Sequence, residues 1–388
     1  MYGTRGLAAI ALTAVIACGR SSIEPSPAAV SQATGPSQAA YVWQRNWTPG
    51  VRDAVAHPPA GIDGLHVLIA EVSPATHASA SPTASSPSPP TLTMMAVDAS
   101  SLAAAHVPIT LVVRLEGSRP IADLSLDPVL RSADALRAAG VEIGGIEIDH
   151  DCATARLADY AYWLSARRPT GYRFSITALP TWASSPALID VAHAVDEIVV
   201  QVHAVRAPMI FDANIAWRDL TRFARAVKTP MRVALPTYSA MVRDVEVSVD
   251  PDDVAVFVDR LAKTPIAGVG GIVWFRLPVE GDEQTWSRAT FARIVARDPV
   301  ASAGIDARAK VELVAQGDQR FDVVVSNPTD ALVEMPPVHI AGDIGAADMV
   351  MGYRELGSGR WEAPRRSLAH NERIVIGWIH GKDLTLVD

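Results

Sequence analysis

From residue 41 to residue 296 the chain repeats one pattern: a short Val/Ile-rich run, then a longer amphipathic stretch. The runs fall at 41–47, 65–72, 107–116, 144–151, 173–179, 197–203, 231–237 and 270–277. Amphipathic stretches between them include 130–139, 155–167, 216–227, 252–263 and 286–296, with Ser185-Pro186 and Asp250-Pro251 placed as helix starts. Runs that are apolar throughout are what strands covered on both faces require. Eight strand–helix units in roughly 260 residues match the number, order and length of a (β/α)8 TIM barrel. A doubly wound open sheet alternates similarly and is the competing architecture.

Polar residues favour the barrel. Side chains two apart on a strand share a face. In 144–151 that rule places Glu147, Asp149 and Asp151 opposite Ile146 and Ile148. It pairs Arg114 with Glu116, Gln201 with His203, Trp43 with Arg45, and Trp274 with Arg276. Glu71 and Thr177 stand near the ends of their own runs. These groups cluster at the carboxyl ends of strands, where a barrel builds its active site.

The remaining chain divides simply. Residues 1–18 have Arg5, an apolar run and the ending Val15-Ile16-Ala17-Cys18, which reads as a secretory signal closing in a bacterial lipobox. Lipidation of Cys18 is expected, with Gly19 directing the protein to a periplasm-facing place, the outer membrane favoured; an ordinary signal peptide cut nearby is the alternative. Residues 19–40, rich in Ser, Ala and Pro, read as a disordered tether, and 74–91 as a low-complexity insertion in the barrel domain, 41–298. Beyond it, 299–388 has short strand-like runs between Gly, Asn and Pro turns, a small β-sandwich-like domain that packs as a support.

Composition narrows the function. With 34 Lys+Arg against 42 Asp+Glu, the net charge of −8 argues against a nucleic-acid partner. Two cysteines exclude a disulfide framework, and with Cys18 lipidated Cys152 would be the one thiol left, in a packing role.

The segments YVWQRNW, GGIEIDHDCATARLADYAYWL, SITALPTW, VVQVH, VALPTY and GIVWFRLP together resemble the bacterial family DUF3142 over roughly 41–296. The resemblance implies a barrel of the glycosidase superfamily without a demonstrated activity. Gly145-Ile146-Glu147-Ile148-Asp149-His150-Asp151 is also similar to the fourth-strand motif Gly-x-Asp-x-Asp-x-Glu of chitinase-like glycosidases. That likeness implies Asp151 as general acid and Asp149 as its partner. Asp151 is one methylene shorter than the family's Glu, Glu147 replaces the deeper Asp, and Gln201-Val202-His203 replaces a Met-x-Tyr pattern. Leu235-Pro236-Thr237-Tyr238 lacks the seventh-strand Glu of many two-glutamate barrels.

Glycoside cleavage needs one protonated and one ionised carboxyl. Three acids on one strand should raise at least one pKa through repulsion and burial. The candidate catalytic set is therefore Asp151, Asp149 and Glu147, with Glu71 or Glu116 as the second reactive group. The candidate substrate-binding set is Trp43, Arg45, Arg114, Thr177, Trp182, Gln201, His203, Tyr238, Trp274 and Arg276. A metal site from Asp149, Asp151 and His203 is chemically conceivable, but no metal and no cofactor is expected. The reading is a glycan-acting, lipid-anchored envelope protein; a non-catalytic module binding a glycan or envelope partner, and a metal-dependent hydrolase, remain the alternatives.

Overall fold

The computed structural model describes residues 35–73, 91–117, 124–204, 209–242, 245–282, 284–297, 308–327, 333–368 and 372–387. Cys18, its lipobox and nearly all of the 74–91 insertion lie outside them.

Eight parallel strands close into a ring: β1 Ser37–Val42, β2 Gly64–Ser73, β3 Ile109–Leu115, β4 Ile143–His150, β5 Arg173–Ala178, β6 Glu197–Gln201, β7 Met231–Pro236 and β8 Val269–Phe275. Each pairs with its sequence neighbours, and β1 completes the ring by pairing with β2 (Ala39 beside Gly64) and with β8 (Ser37 beside Gly271). At least one helix follows every strand. The open-sheet alternative is thereby removed. Thr91–Met94 adds an antiparallel strand to β2.

Both faces of the strands are covered, which is why the runs read as continuously apolar. Outward side chains such as Leu111, Ile146, Ile148, Ile176 and Ile272 join the helices in one large core. Inward, Ala39, Tyr41, Val112, Val199, Ala234 and Val273 fill the lumen, with Trp43 and Phe275 above them. Helix starts follow local capping chemistry: the side chains of Thr48 and Asp250 accept from the backbone N–H of Val51 and Asp252, with Pro49 and Pro251 in the first turn. The start expected at Ser185-Pro186 falls slightly later, at Leu188–His193.

β1 differs from its expected 41–47. It begins at Ser37, inside the stretch read as tether, and ends at Val42. Small residues are what the ring-closing position accepts. A Cβ on Gly271 would stand 2.8 Å from the Ser37 carbonyl, so the two backbones meet too closely for larger side chains.

The C-terminal region carries a six-stranded antiparallel sheet, centred on the long strand Arg373–Leu386 beside Arg320–Ser326 and Val338–Met349. A two-stranded piece pairs Val333–Glu334 with Ser367–Leu368. Val323, Val325, Ile340, Trp361, Ile376 and Ile379 form its core. Val338–Met349 escaped the sequence reading because most of its residues are exposed and it contains two glycines, Gly342 and Gly345, so no apolar run marks it.

Candidate active site at the barrel mouth

The carboxyl ends of the strands surround an open cavity of about 310 Å³. This lies at the small end of ligand pockets, about 300–1,000 Å³, and suits one sugar-sized unit. Strand β4 supplies its acids in layers. Glu147 lies at the floor, fully buried, Asp149 sits one layer higher and almost fully buried, and Asp151 reaches the opening with a side chain 43% exposed.

Glu147 is a structural group. Its carboxylate accepts from the Tyr41 hydroxyl at 2.7 Å and the Ser175 hydroxyl at 3.1 Å, and meets His66 Nδ1 at 3.1 Å. Burial alone pushes its pKa up, but the His66 ring and these hydrogen bonds outweigh it and hold the carboxyl below its ordinary value. It does not line the cavity, which corrects its assignment to the catalytic set.

The register of β3 on β4 sets Arg114 beside Asp149. Its guanidinium forks, donating to Asp149 Oδ2 at 2.6 Å and to Asp151 Oδ2 at 2.8 Å. Thr177, which lines the cavity, donates its hydroxyl to the other Asp149 oxygen at 2.6 Å. Burial pushes the Asp149 pKa up against these partners, with Asp151 adding to the rise. The expectation of one raised acid on β4 therefore falls on Asp149, and burial outranks repulsion as its cause.

Across the mouth, Glu71 takes a two-pronged bond from Arg45, 2.9 Å at Nε and 2.5 Å at the terminal nitrogen. A bulge between Leu68 and Ala70 in β2 breaks simple alternation. Both His66 at the floor and Glu71 at the mouth consequently point inward. Glu116, one residue beyond β3, also lines the cavity.

The opposite wall is aromatic. Trp43, Phe275 and Tyr238 pack edge to face, with ring centroids 5.1 Å and 5.6 Å apart. His203 stacks on Phe275 at 5.4 Å and its Nδ1 lies 3.3 Å from the Tyr238 hydroxyl. Burial lowers the His203 pKa to about 3 and pushes Tyr238 up to about 12, so both are uncharged near neutral pH. Gln201 lines the same wall, its amide nitrogen donating to the His203 carbonyl at 3.3 Å.

Three expected substrate contacts lie elsewhere. Trp274 points outward, against Trp286 and Phe291, while its neighbour Phe275 takes the lumen. Alternation permits either choice, and two large rings on the outer side, Trp286 before the last helix and Phe291 within it, favour the bigger indole on their side. Arg276 follows the end of β8 and turns to Asp282, 2.6 Å away. Trp182 is fully buried and donates to the Cys152 carbonyl at 3.0 Å. Cys152 itself is buried, and its thiol is pushed up to about 12 by that burial, far from a nucleophile's state.

Tyr41 and Phe275 line the cavity unpredicted. Tyr41 was recoverable, since it shares parity with Trp43 and Arg45; Phe275 had no local signal. A metal site does not fit the donors, because the Arg114 guanidinium already lies between Asp149 and Asp151. Among the described residues no three His, Cys, Asp or Glu side chains converge on one point.

The family model of DUF3142, a domain of unknown function, matches residues 105–247. No curated protein matches the sequence. Solved structures with a similar arrangement include a chitinase from Chromobacterium violaceum, 12% identical, with 68% of this chain and 98% of that one covered at a TM-score of 0.44. The spore cortex-lytic enzyme of Bacillus cereus is 14% identical, with 68% and 74% covered and a TM-score of 0.43. A chitinase from Pseudoalteromonas aurantia is 13% identical, with 62% and 93% covered and a TM-score of 0.39.

Proposed function

We propose that the barrel mouth binds and cleaves a glycan by carboxylate general acid/base chemistry. The observation that carries this reading is the pairing, at the end of one strand, of a buried carboxyl with a raised pKa, Asp149, and an accessible one just past it, Asp151, both facing a sugar-sized cavity. Two carboxyls in unlike environments are what glycoside cleavage divides its proton transfers between. Asp151 is the group able to reach a glycosidic oxygen. Asp149, held by Thr177 and Arg114, is its partner, and Glu71 or Glu116 stands across the cavity as the second carboxylate. Trp43 and Tyr238 offer faces on which a sugar ring stacks.

The test is turnover of a panel of bacterial polysaccharides and aryl glycosides. Wild type should release reducing ends, and Asp151→Asn should lower kcat at least about 100-fold, the typical contribution of a positioned acid or base. Equal turnover by both proteins would remove Asp151 from the mechanism.

One observation favours a second reading, a non-catalytic glycan-binding module: a single guanidinium neutralises both Asp149 and Asp151. Glycan binding with no turnover, unchanged in Asp149→Ala and Asp151→Ala, would select it. The membrane partner proposed for either reading is a lipid on Cys18, holding the barrel at the periplasmic side of the envelope. Metabolic labelling with an alkyne fatty acid should mark the wild type and leave Cys18→Ser unlabelled; labelling of both would refute it.

A further inference from the structure

On the glycan reading above, we infer that the unit held in the cavity carries a protonated amine, as a free amino sugar does, in preference to a carboxylate, a sulfate or an acetamide. The argument is a balance of charge at close range. Among the described residues lining the cavity the cations are Arg45 and Arg114, and both are already bonded to carboxylates. His203 adds no charge, its pKa lying at about 3. An anionic sugar would therefore meet no uncommitted cation.

The acids exceed the cations. Even with Asp149 set aside, because burial favours its neutral form, Glu71, Glu116 and Asp151 leave the lining one negative charge in excess of the two arginines. Glu116 is the group that carries the excess. It is half-buried, and its carboxylate has no hydrogen bond or ion pair among the described residues. Arg45, whose guanidinium feels its field, is bonded to Glu71. Opposite, the rings of Trp43 and Tyr238 line the cavity, and aromatic rings attract cations as well as sugar rings. A concave wall of low polarity facing a net negative rim focuses the field into the space between them.

The experiment uses monosaccharides, which fill the cavity but offer no glycosidic bond to cleave. Glucosamine, N-acetylglucosamine and galacturonic acid are titrated by NMR at pH 6, where the amine and the uronate are both charged. Glucosamine should bind about tenfold more tightly than either of the others, as one charge partly shielded from water provides. The margin should shrink as salt screens it. Glu116→Gln should bring the three sugars to within about threefold of one another, with the Tm checked to show the variant is folded. Equal or tighter binding of the acetylated or uronic sugar, or an amine preference that survives Glu116→Gln, overturns the inference. An acetylated glycan that is bound and cleaved by wild type would sink the amine and leave the glycan reading standing; failure of all three sugars to bind, with no polysaccharide cleaved, would sink both.

Discussion

Replacing Glu147 with Ala tests whether the lowest acid of β4 holds the barrel together. Its carboxylate serves the Tyr41 and Ser175 hydroxyls and the His66 ring, at 2.7, 3.1 and 3.1 Å, in a place with no solvent access. Truncation leaves three buried polar groups without their acceptor, each costing about 1–3 kcal/mol. Partial relaxation of the three groups keeps the expected loss toward the lower end of their sum, about 3–5 kcal/mol. For a domain of this size that corresponds to a Tm lower by roughly 10 °C. Glu147→Gln, which keeps the shape, should lose less. Circular dichroism melts at pH 7 measure both. A Glu147→Ala melt within about 2 °C of wild type would show that the network is ornamental. The pH dependence has a fixed sign. The folded-state pKa lies below the ordinary glutamate value of 4.5, so the unfolded chain takes up the proton first. The stabilisation is complete above that value and disappears as the pH falls through the folded pKa. Wild type should therefore lose more stability than Glu147→Gln on acidification below about pH 4.5.

Two further outcomes are expected. Cys152, with no solvent exposure and its thiol pushed up to about 12, should resist iodoacetamide in the folded protein at pH 8 and react after denaturation; rapid labelling of the native state, followed by mass spectrometry, would contradict its burial. Gly271→Ala should destabilise by about 1–3 kcal/mol, because the new methyl group would press on the Ser37 carbonyl and hydroxyl at the ring closure, and a denaturant midpoint equal to wild type would refute that crowding.

Much of the architecture could be read from residue patterns because burial on both faces leaves a strong mark: runs such as 107–116 and 231–237 contain the observed strands Ile109–Leu115 and Met231–Pro236. The β4 alternation was legible for the same reason, with Ile146 and Ile148 outside and the acids inside. Alternation says which residues share a face, not which face is the lumen. On β8 both neighbours are large and aromatic, so the choice between Trp274 and Phe275 was made by packing on Trp286 and Phe291, which strand alternation does not encode. The β2 bulge hid the link between His66 and Glu71, since one inserted residue reverses parity. Arg276 was misplaced because the strand stops before it and Asp282 captures its charge. The depth of each β4 acid was likewise invisible. What distinguishes Glu147 from Asp151 is a lid of Tyr41, His66 and Ser175 drawn from three other strands.

The seam where β1 lies between β2 and β8 joins Ser37 to Gly271, partners separated by most of the barrel's length. A nascent chain has to keep its opening strand waiting until the last one emerges, and closure is slow by its nature, since so long a loop must be gathered first. Tyr41 and Trp43 come from that same opening stretch and face Phe275 from the final strand. A half-synthesised barrel therefore has no aromatic wall: that wall comes into being all at once, when the ring shuts.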